Sequence, residues 1–251
     1  MELGKLTWPT VAALDRDIPV MIPVAALEQH GHHMPLLTDS LLLGEIVKRV
    51  EREFSERLLV APLMWLGNSH HHLDFPGTLS GEPRVWLDLL SGLIDNFVHH
   101  GFRRIFILNG HGGNDVPGKQ AIFELRQRYR TREDLLLLFA TYWSFAPEVA
   151  TSLRLEQPEM GHAGEWETSM MLRIHPELVD SHQQVEEVPA GNPFLPAQRA
   201  WIMPDRSLAG HVGKPAVATA EKGEQLFDTF TASVSSFVHR VIDWNGSSWE
   251  G

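Results

Sequence analysis

The sequence predicts an α/β fold, a single domain spanning residues 1–251 with a mostly parallel central sheet. Three observations carry that prediction. Strand-length apolar runs alternate with amphipathic stretches at the spacing of βαβ units. One run, Arg104–Asn109, is almost continuously apolar, as a strand covered on both faces must be. No repeat, low-complexity tract or linker divides the 251 residues, a length that one α/β domain can fill.

Taken in order, residues 18–28 read as a buried strand, with Pro23 marking an edge or an irregularity. From 38 to 58, Leu41, Leu42, Ile46, Val50 and Phe54 recur at helical spacing among charged residues. Residues 58–64 form a second short strand, and 65–78, rich in Gly, Pro and His, a loop over a pocket. Glu82-Pro83 opens a helix that runs to about residue 100, with proline in its favoured first position. A third strand, Arg104–Asn109, leads through a glycine-rich turn into a helix over 114–129 and a fourth strand over 135–142. Right-handed crossovers then place the helices on the sheet faces and the strand ends on one rim. Residues 147–160 read as a loop and 161–173 as a short helix. Between 181 and 212 little is periodic, although Phe194, Leu195, Trp201, Ile202 and Met203 suit a pocket cover or a subunit contact. The last helix spans 219–244, with Leu226, Phe227, Phe230, Val234, Phe237, Val238 and Val241 on its apolar side.

Composition narrows the function. A formal charge of -11 argues against a broad nucleic-acid surface. The N-terminus lacks a basic region followed by an apolar run, and no uninterrupted apolar stretch is long enough to span a bilayer, so a cytoplasmic protein with no membrane association is expected. With no cysteine, disulfides and thiolate ligands are excluded, and any transition metal must be held by His, Asp and Glu. Fourteen histidines, several near predicted strand ends, favour such a site.

Chemistry concentrates first in residues 22–39. If the strand runs on to His30, its two-residue period puts Glu28 and His30 on one face, at the crevice. Asp39 returns just before a helix, where its carboxylate stays ionised. Two carboxylates and an imidazole suit Zn²⁺, Mn²⁺ or Fe²⁺ and fit Ca²⁺ badly. The same residues also read as a strand-end histidine, a surface acid and a helix cap. His111 follows the third strand in Gly110-His111-Gly112-Gly113-Asn114, which lacks the glycine pattern of a dinucleotide fingerprint and the ending of a P-loop. In a helix over 161–173, His162 and Glu165 share a face that Glu167 does not, so one of the two carboxylates can reach a metal while the other orients the backbone or the ligands.

These motifs resemble the creatininase, or creatinine amidohydrolase, family. The matching segments are Glu28-Gln29-His30-Gly31 with Pro35 and Asp39, Phe75-Pro76-Gly77-Thr78, Asn109 to Asn114, and His162-Ala163-Gly164 with Glu167-Thr168-Ser169, in family order over about residues 18–175. The resemblance implies a three-layer α/β/α fold, a binuclear metal centre, frequent hexamers, and hydrolysis of cyclic amides, formamides or peptide bonds. Carried over, Glu28 and His111 bind one ion, His30 the other, Asp39 bridges them, and His162 is the catalytic histidine. In creatininase itself a metal-binding glutamate lies two residues beyond the histidine that matches His111, where this sequence has Gly113. That departure points to the family branch with deformylase and peptidase members, and makes Glu165 the expected replacement ligand.

The expected enzyme is therefore a divalent-metal-dependent amidohydrolase with two ions, Zn²⁺ first and Mn²⁺ or Fe²⁺ as alternatives. A metal-bridging hydroxide would attack a non-aromatic amide or formamide carbon of a small amide, formamide or peptide substrate. His162 would pass a proton to the leaving nitrogen, and one metal or the Gly112 and Gly113 N–H groups would stabilise the oxyanion. His33, His72, Asn114, Tyr142, Trp143 and Glu167 are expected to line the pocket or to hold the ligands in place. The competing expectations are creatinine or another cyclic amide as substrate, and a catalytically silent metal-binding assembly protein. A homo-oligomer, with a hexamer as one form, is expected.

Overall fold

The computed structural model describes residues 1–247 and 249; the expected 1–251 boundary extends to residues outside these. Its centre is a fully parallel four-stranded sheet made of β1 (Val20–Val24), β2 (Leu59–Val60), β3 (Arg104–Asn109) and β4 (Leu136–Thr141), in the order β2-β1-β3-β4. Around it, in chain order, are a short α1 (Trp8–Ala12), α2 (Thr38–Glu53), α3 (Pro83–His99), α4 (Asp115–Arg128), a single-turn α5 (Val149–Ser152), α6 (Glu165–Ile174), a single-turn α7 (Met203–Arg206) and α8 (Ala220–Asp243).

Strand alternation divides the core in two. Val20, Ile22 and Val24 of β1, with Ile105 and Ile107 of β3, face α3 and α4. Met21, with Phe106 and Leu108, faces α2, α6 and α8. Each successive side chain feeds the opposite core, which is why β1 and β3 carry no polar face. The outer helix α8 turns Leu226, Phe227, Phe230, Val234, Val238 and Val241 inward, all at most 2% exposed. Each such side chain contributes about 2 kcal/mol by burial, and Phe230→Ala would forfeit about 3–5 kcal/mol. Thr219 caps α8 by accepting the Lys222 N–H, and Glu82 caps α3 by accepting those of Arg84 and Val85.

The strand order positions the site. From β1 the chain crosses by α2 to β2 on one side, then by α3 to β3 on the other, so the carboxyl ends of β1 and β3 flank a topological switch point. Among the described residues no helix is long and apolar enough to cross a membrane.

Three expected elements are redrawn. β1 stops at Val24 rather than 28: Leu27 forms an antiparallel bridge with Leu79, the Glu28 N–H bonds Leu36 O, and His30 bridges Met34. Glu28 and His30 thus enter the crevice from a turn, not from one strand face. The helix expected over 161–173 begins only at Glu165. Gly161 and Ala163 take φ of 66° and 51°, and His162 pairs with Val212 through bonds of 2.9 and 2.7 Å. An alanine at positive φ is uncommon and costs on the order of 1 kcal/mol, here held by that pairing. β2 is also shorter than the expected 58–64, with Met64 retained only as an isolated bridge to Val24.

Candidate metal centre

Asp39 is the second residue of α2 and only 4% exposed. Its Oδ1 lies 3.2 Å from His30 Nε2, and its Oδ2 lies 3.0 Å from His111 Nδ1. One carboxylate therefore faces two imidazoles with separate oxygens. His30 comes from the turn after β1, and its Nδ1–H donates to Glu28 O at 3.0 Å, which directs Nε2 inward. His111 follows β3; its Nε2–H donates to Asn68 O at 3.0 Å, leaving Nδ1 toward Asp39. Asn109 and Asn114 fix this turn: the Asn109 amide donates to His111 O, and Asn114 donates to Ala25 O and accepts the Asn68 N–H.

Glu28 is buried beside three imidazoles. Oε2 is 3.4 Å from His111 Nε2, while Oε1 is 3.5 Å from His72 Nε2 and 3.6 Å from His162 Nδ1. His162 donates Nε2–H to Gln29 O at 2.8 Å, so its Nδ1 lone pair faces Glu28. The Gln29 side-chain amide donates to His72 Nδ1 at 2.7 Å, so the His72 proton sits on Nε2. His72 can therefore donate toward Glu28, whereas His162 presents its Nδ1 lone pair to it. Glu167, in the first turn of α6, accepts the Ala163 N–H on Oε2 at 2.5 Å and turns Oε1 to within 3.7 Å of His30 Nε2.

The charges follow from burial and mutual contact. Desolvation lifts the Glu28 carboxyl to about 7, against the pull of His111. Burial lowers the His111 imidazole, but the carboxylates of Glu28 and Asp39 outweigh it and raise the group to about 9. His30 likewise rises well above its ordinary value, since Asp39 and Glu167 overcome its desolvation. Burial opposes ionisation of Asp39, yet His30 and His111 hold it well below the carboxylate range. His162 is driven well below 6.5 by burial and by His30 and His72, so it is neutral. Burial, reinforced by His71, does the same to His72.

The donor set fits divalent transition ions. Glu28 Oε2 and Asp39 Oδ2 are buried without a hydrogen bond, although each lies near His111, and unsatisfied carboxylate oxygens are costly unless a cation faces them. Donor atoms converge within 4.8 Å in four triads: Glu28, His71 and His111; Glu28, His72 and His162; His30, His162 and Glu167; and Glu28, His30 and Asp39. Nitrogen and carboxylate oxygen in this mixture suit Zn²⁺, Mn²⁺ or Fe²⁺.

The structure brings Glu28, His30, Asp39, His111, His162 and His72 together and places Glu165 apart from them. That carboxylate is fully buried away from the cluster, accepting from Lys222 Nζ at 2.6 Å and the Gln157 N–H at 2.7 Å. The helical register that paired it with His162 fails because His162 lies outside α6, and Glu167 takes the place near His30. Tyr142 is also not at the pocket: it is core, edge-on to Phe230 at 5.1 Å, whereas Trp143 lines the cleft with Gly112 and Gly113. His33 sits behind the cluster, 3.0 Å from Thr168 Oγ1. Sequence reasoning missed His71, a donor beside Glu28 and His111, and gave no role to Gln29, whose carbonyl and amide orient two imidazoles. The run His70-His71-His72 was the available signal, but it does not say which members turn inward.

The chain is similar to known proteins along most of its length. A profile of the creatininase family, described as creatinine amidohydrolase, matches residues 4–238. The chain is 32% identical to the creatinine amidohydrolase of Pseudomonas putida over 94% of its own length and 95% of the relative's. It is also 32% identical to the mycofactocin precursor peptide peptidase of Mycolicibacterium smegmatis, over 90% of this chain and 85% of that one. A solved mutant creatininase of Zn–Zn type superposes with a TM-score of 0.82 at 31% identity, covering 97% of this chain and 98% of the other.

Proposed function

This chain belongs to the creatininase family and is a hydrolase of C–N bonds, and we propose that it opens a non-aromatic amide or formamide bond with two divalent ions held by Glu28, His30, Asp39, His111 and Glu167. The observation that carries this reading is the Asp39 carboxylate, buried and divided between His30 and His111, the arrangement that a bridging ligand requires. Glu28 and His111 would complete one position, His30 and Glu167 the other. Zn²⁺ is the first candidate from the donor chemistry, with Mn²⁺ or Fe²⁺ next.

When bound, such a pair polarises the substrate carbonyl and supplies a water acidified toward neutral pH. The residues do the rest. Neutral His162, held by Gln29 O through Nε2–H, has Nδ1 free to take a proton and to return it to the departing nitrogen. His72, with its proton on Nε2, holds Glu28 in place. Trp143, Gly112 and Gly113 border the space for the acyl group, and burial of the cluster limits the water that competes for these contacts.

Acyclic amides are favoured over creatinine by Gly113, where a Cβ would collide with Asn68 O and His111 Nε2, so the glutamate that creatininase carries there has no room. The homo-oligomer implied by the family belongs to the same reading, and light scattering in solution checks it. Metal-loaded protein should be assayed against creatinine, N-formyl amides and short peptides. Metal-dependent turnover of an acyclic amide is expected. Turnover of creatinine alone would replace this substrate assignment, and a fully loaded protein that turns over none of them would sink it in favour of a silent metal-binding assembly protein.

A further inference from the structure

The cleft that holds the metal centre measures about 1080 Å³, larger than a small ring needs, and its rim carries charge. Arg84 in the first turn of α3, Arg199, and Arg206 at the end of α7 all border it. None of the three has a carboxylate partner among the described residues. Besides Glu28, Asp39 and Glu167 of the candidate metal cluster, two acids share the lining: Asp205, which caps α7 by accepting the Ile202 N–H at 3.0 Å, and Glu159. The chain as a whole is at -11, so attraction for anions is confined to places like this one.

Two of these arginines lie against aromatic rings, whereas Arg84 is exposed. The Arg206 guanidinium lies over the Trp201 ring at 5.1 Å, and Trp201 stands edge-on to His71 at 5.0 Å. His71 in turn stacks on His111 at 5.8 Å. Arg206 is thereby tied through two rings to the metal centre. Arg199 lies over Phe194 at 6.0 Å on the same segment. A guanidinium kept on an aromatic face retains its fork of N–H donors, which matches a carboxylate or phosphate in geometry.

We propose that this rim, with Arg206 as its anchor and Arg199 and Arg84 beside it, binds an anionic carboxylate or phosphate group at the end of the substrate remote from the scissile bond. The substrate is then an elongated acyl amide with a terminal anion. This deepens the amide-hydrolase reading given above and rests on it.

Matched pairs test it with Zn²⁺-loaded protein: N-formylglycylglycine against its C-terminal amide, and N-formylethanolamine phosphate against N-formylethanolamine. The charged member of at least one pair should have a KM lower by about tenfold or more, the worth of one charge-assisted hydrogen bond. In R206Q that gap should close through KM rather than kcat, with R199Q and R84Q narrowing it less. A preference in the first pair alone assigns a peptide-like carboxylate, and in the second alone a phosphate. Equal KM within both pairs, or an R206Q effect shared by charged and neutral members, overturns the rim while leaving the hydrolase reading intact. If none of the four is hydrolysed, the hydrolase reading fails for these bonds and calorimetric titration of the same compounds decides the rim. Tighter binding of a charged member that R206Q abolishes supports it; equal or absent binding overturns it.

Discussion

Lys222 Nζ lies 2.6 Å from Glu165 Oε1, and this contact separates the two carboxylates at the start of α6. Glu165 is neutralised across the helix interface with α8, while Glu167, two residues on, turns its free oxygen toward His30. Neighbouring acids on one helix point to different sides, so pairing one fixes the other's direction.

The two acids should separate in a metal analysis. E167Q is expected to lose one of two equivalents of zinc by mass spectrometry after dialysis, with its fold intact by circular dichroism. E165Q should keep both equivalents but be destabilised by about 3 kcal/mol in urea, since it strands a largely buried ammonium. Full zinc content in E167Q would remove it from the proposed ligands.

Removing the metal should destabilise the chain. Chelation with EDTA is expected to lower the free energy of unfolding by about 2.7 kcal/mol for each ion that had been present at a hundredfold excess over its Kd. Rebinding should release protons, because His30 and His111 hold theirs more tightly than free histidine does. Calorimetry in buffers of different ionisation enthalpy reads that release; no proton release on zinc binding would count against these two imidazoles as ligands.

H162N should retain both ions and bind substrate, yet fall by about 10² to 10⁴ in kcat, the range for loss of a positioned acid or base. The variant's asparagine cannot titrate, so the limb of the pH profile due to His162 should vanish with it. A variant that instead loses zinc would make His162 a ligand, a position its Nδ1 also permits.

Acid stability should depend on His33. Burial, with charge on His211 and His30, lowers its pKa from 6.5 to about 4. A depressed histidine is favoured neutral in the fold, so its contribution is complete above the unfolded value of 6.5 and is lost as pH falls from there toward 4. Urea midpoints from pH 7.5 to 4.5 should therefore fall more steeply for the parent than for H33Q. Parallel curves would show that His33 does not carry this acid sensitivity.

Local pattern made much of the fold legible. Arg104–Asn109 is readable because a strand sealed on both faces tolerates no polar interruption, and α3 because Pro83 and its glutamate cap mark its start. Glu28, His30, Asp39 and His111 stand at strand and helix ends, where an open α/β sheet exposes side chains. What stayed hidden depends on distant partners. Val212 pulls His162 out of helical register, and Lys222 turns Glu165 away; neither leaves a trace in residues 161–173. Likewise Tyr142 and Trp143 are adjacent, and only the position of α8 sends one inward and leaves the other at the cleft.

The pairing of His162 with Val212 also bears on protein synthesis. Every proposed metal donor precedes residue 168, yet the loop that presents His162 and Glu167 is held by segments translated later. A nascent chain that has released α6 but not α8 has its donors without their alignment. The last donors can be set only once Val212 and Lys222 leave the ribosome, so ions loaded earlier would meet a half-built centre of Glu28, His30, Asp39 and His111. The C-terminal third supplies none of the proposed ligands, yet it holds the turn and the helix start that carry His162 and Glu167.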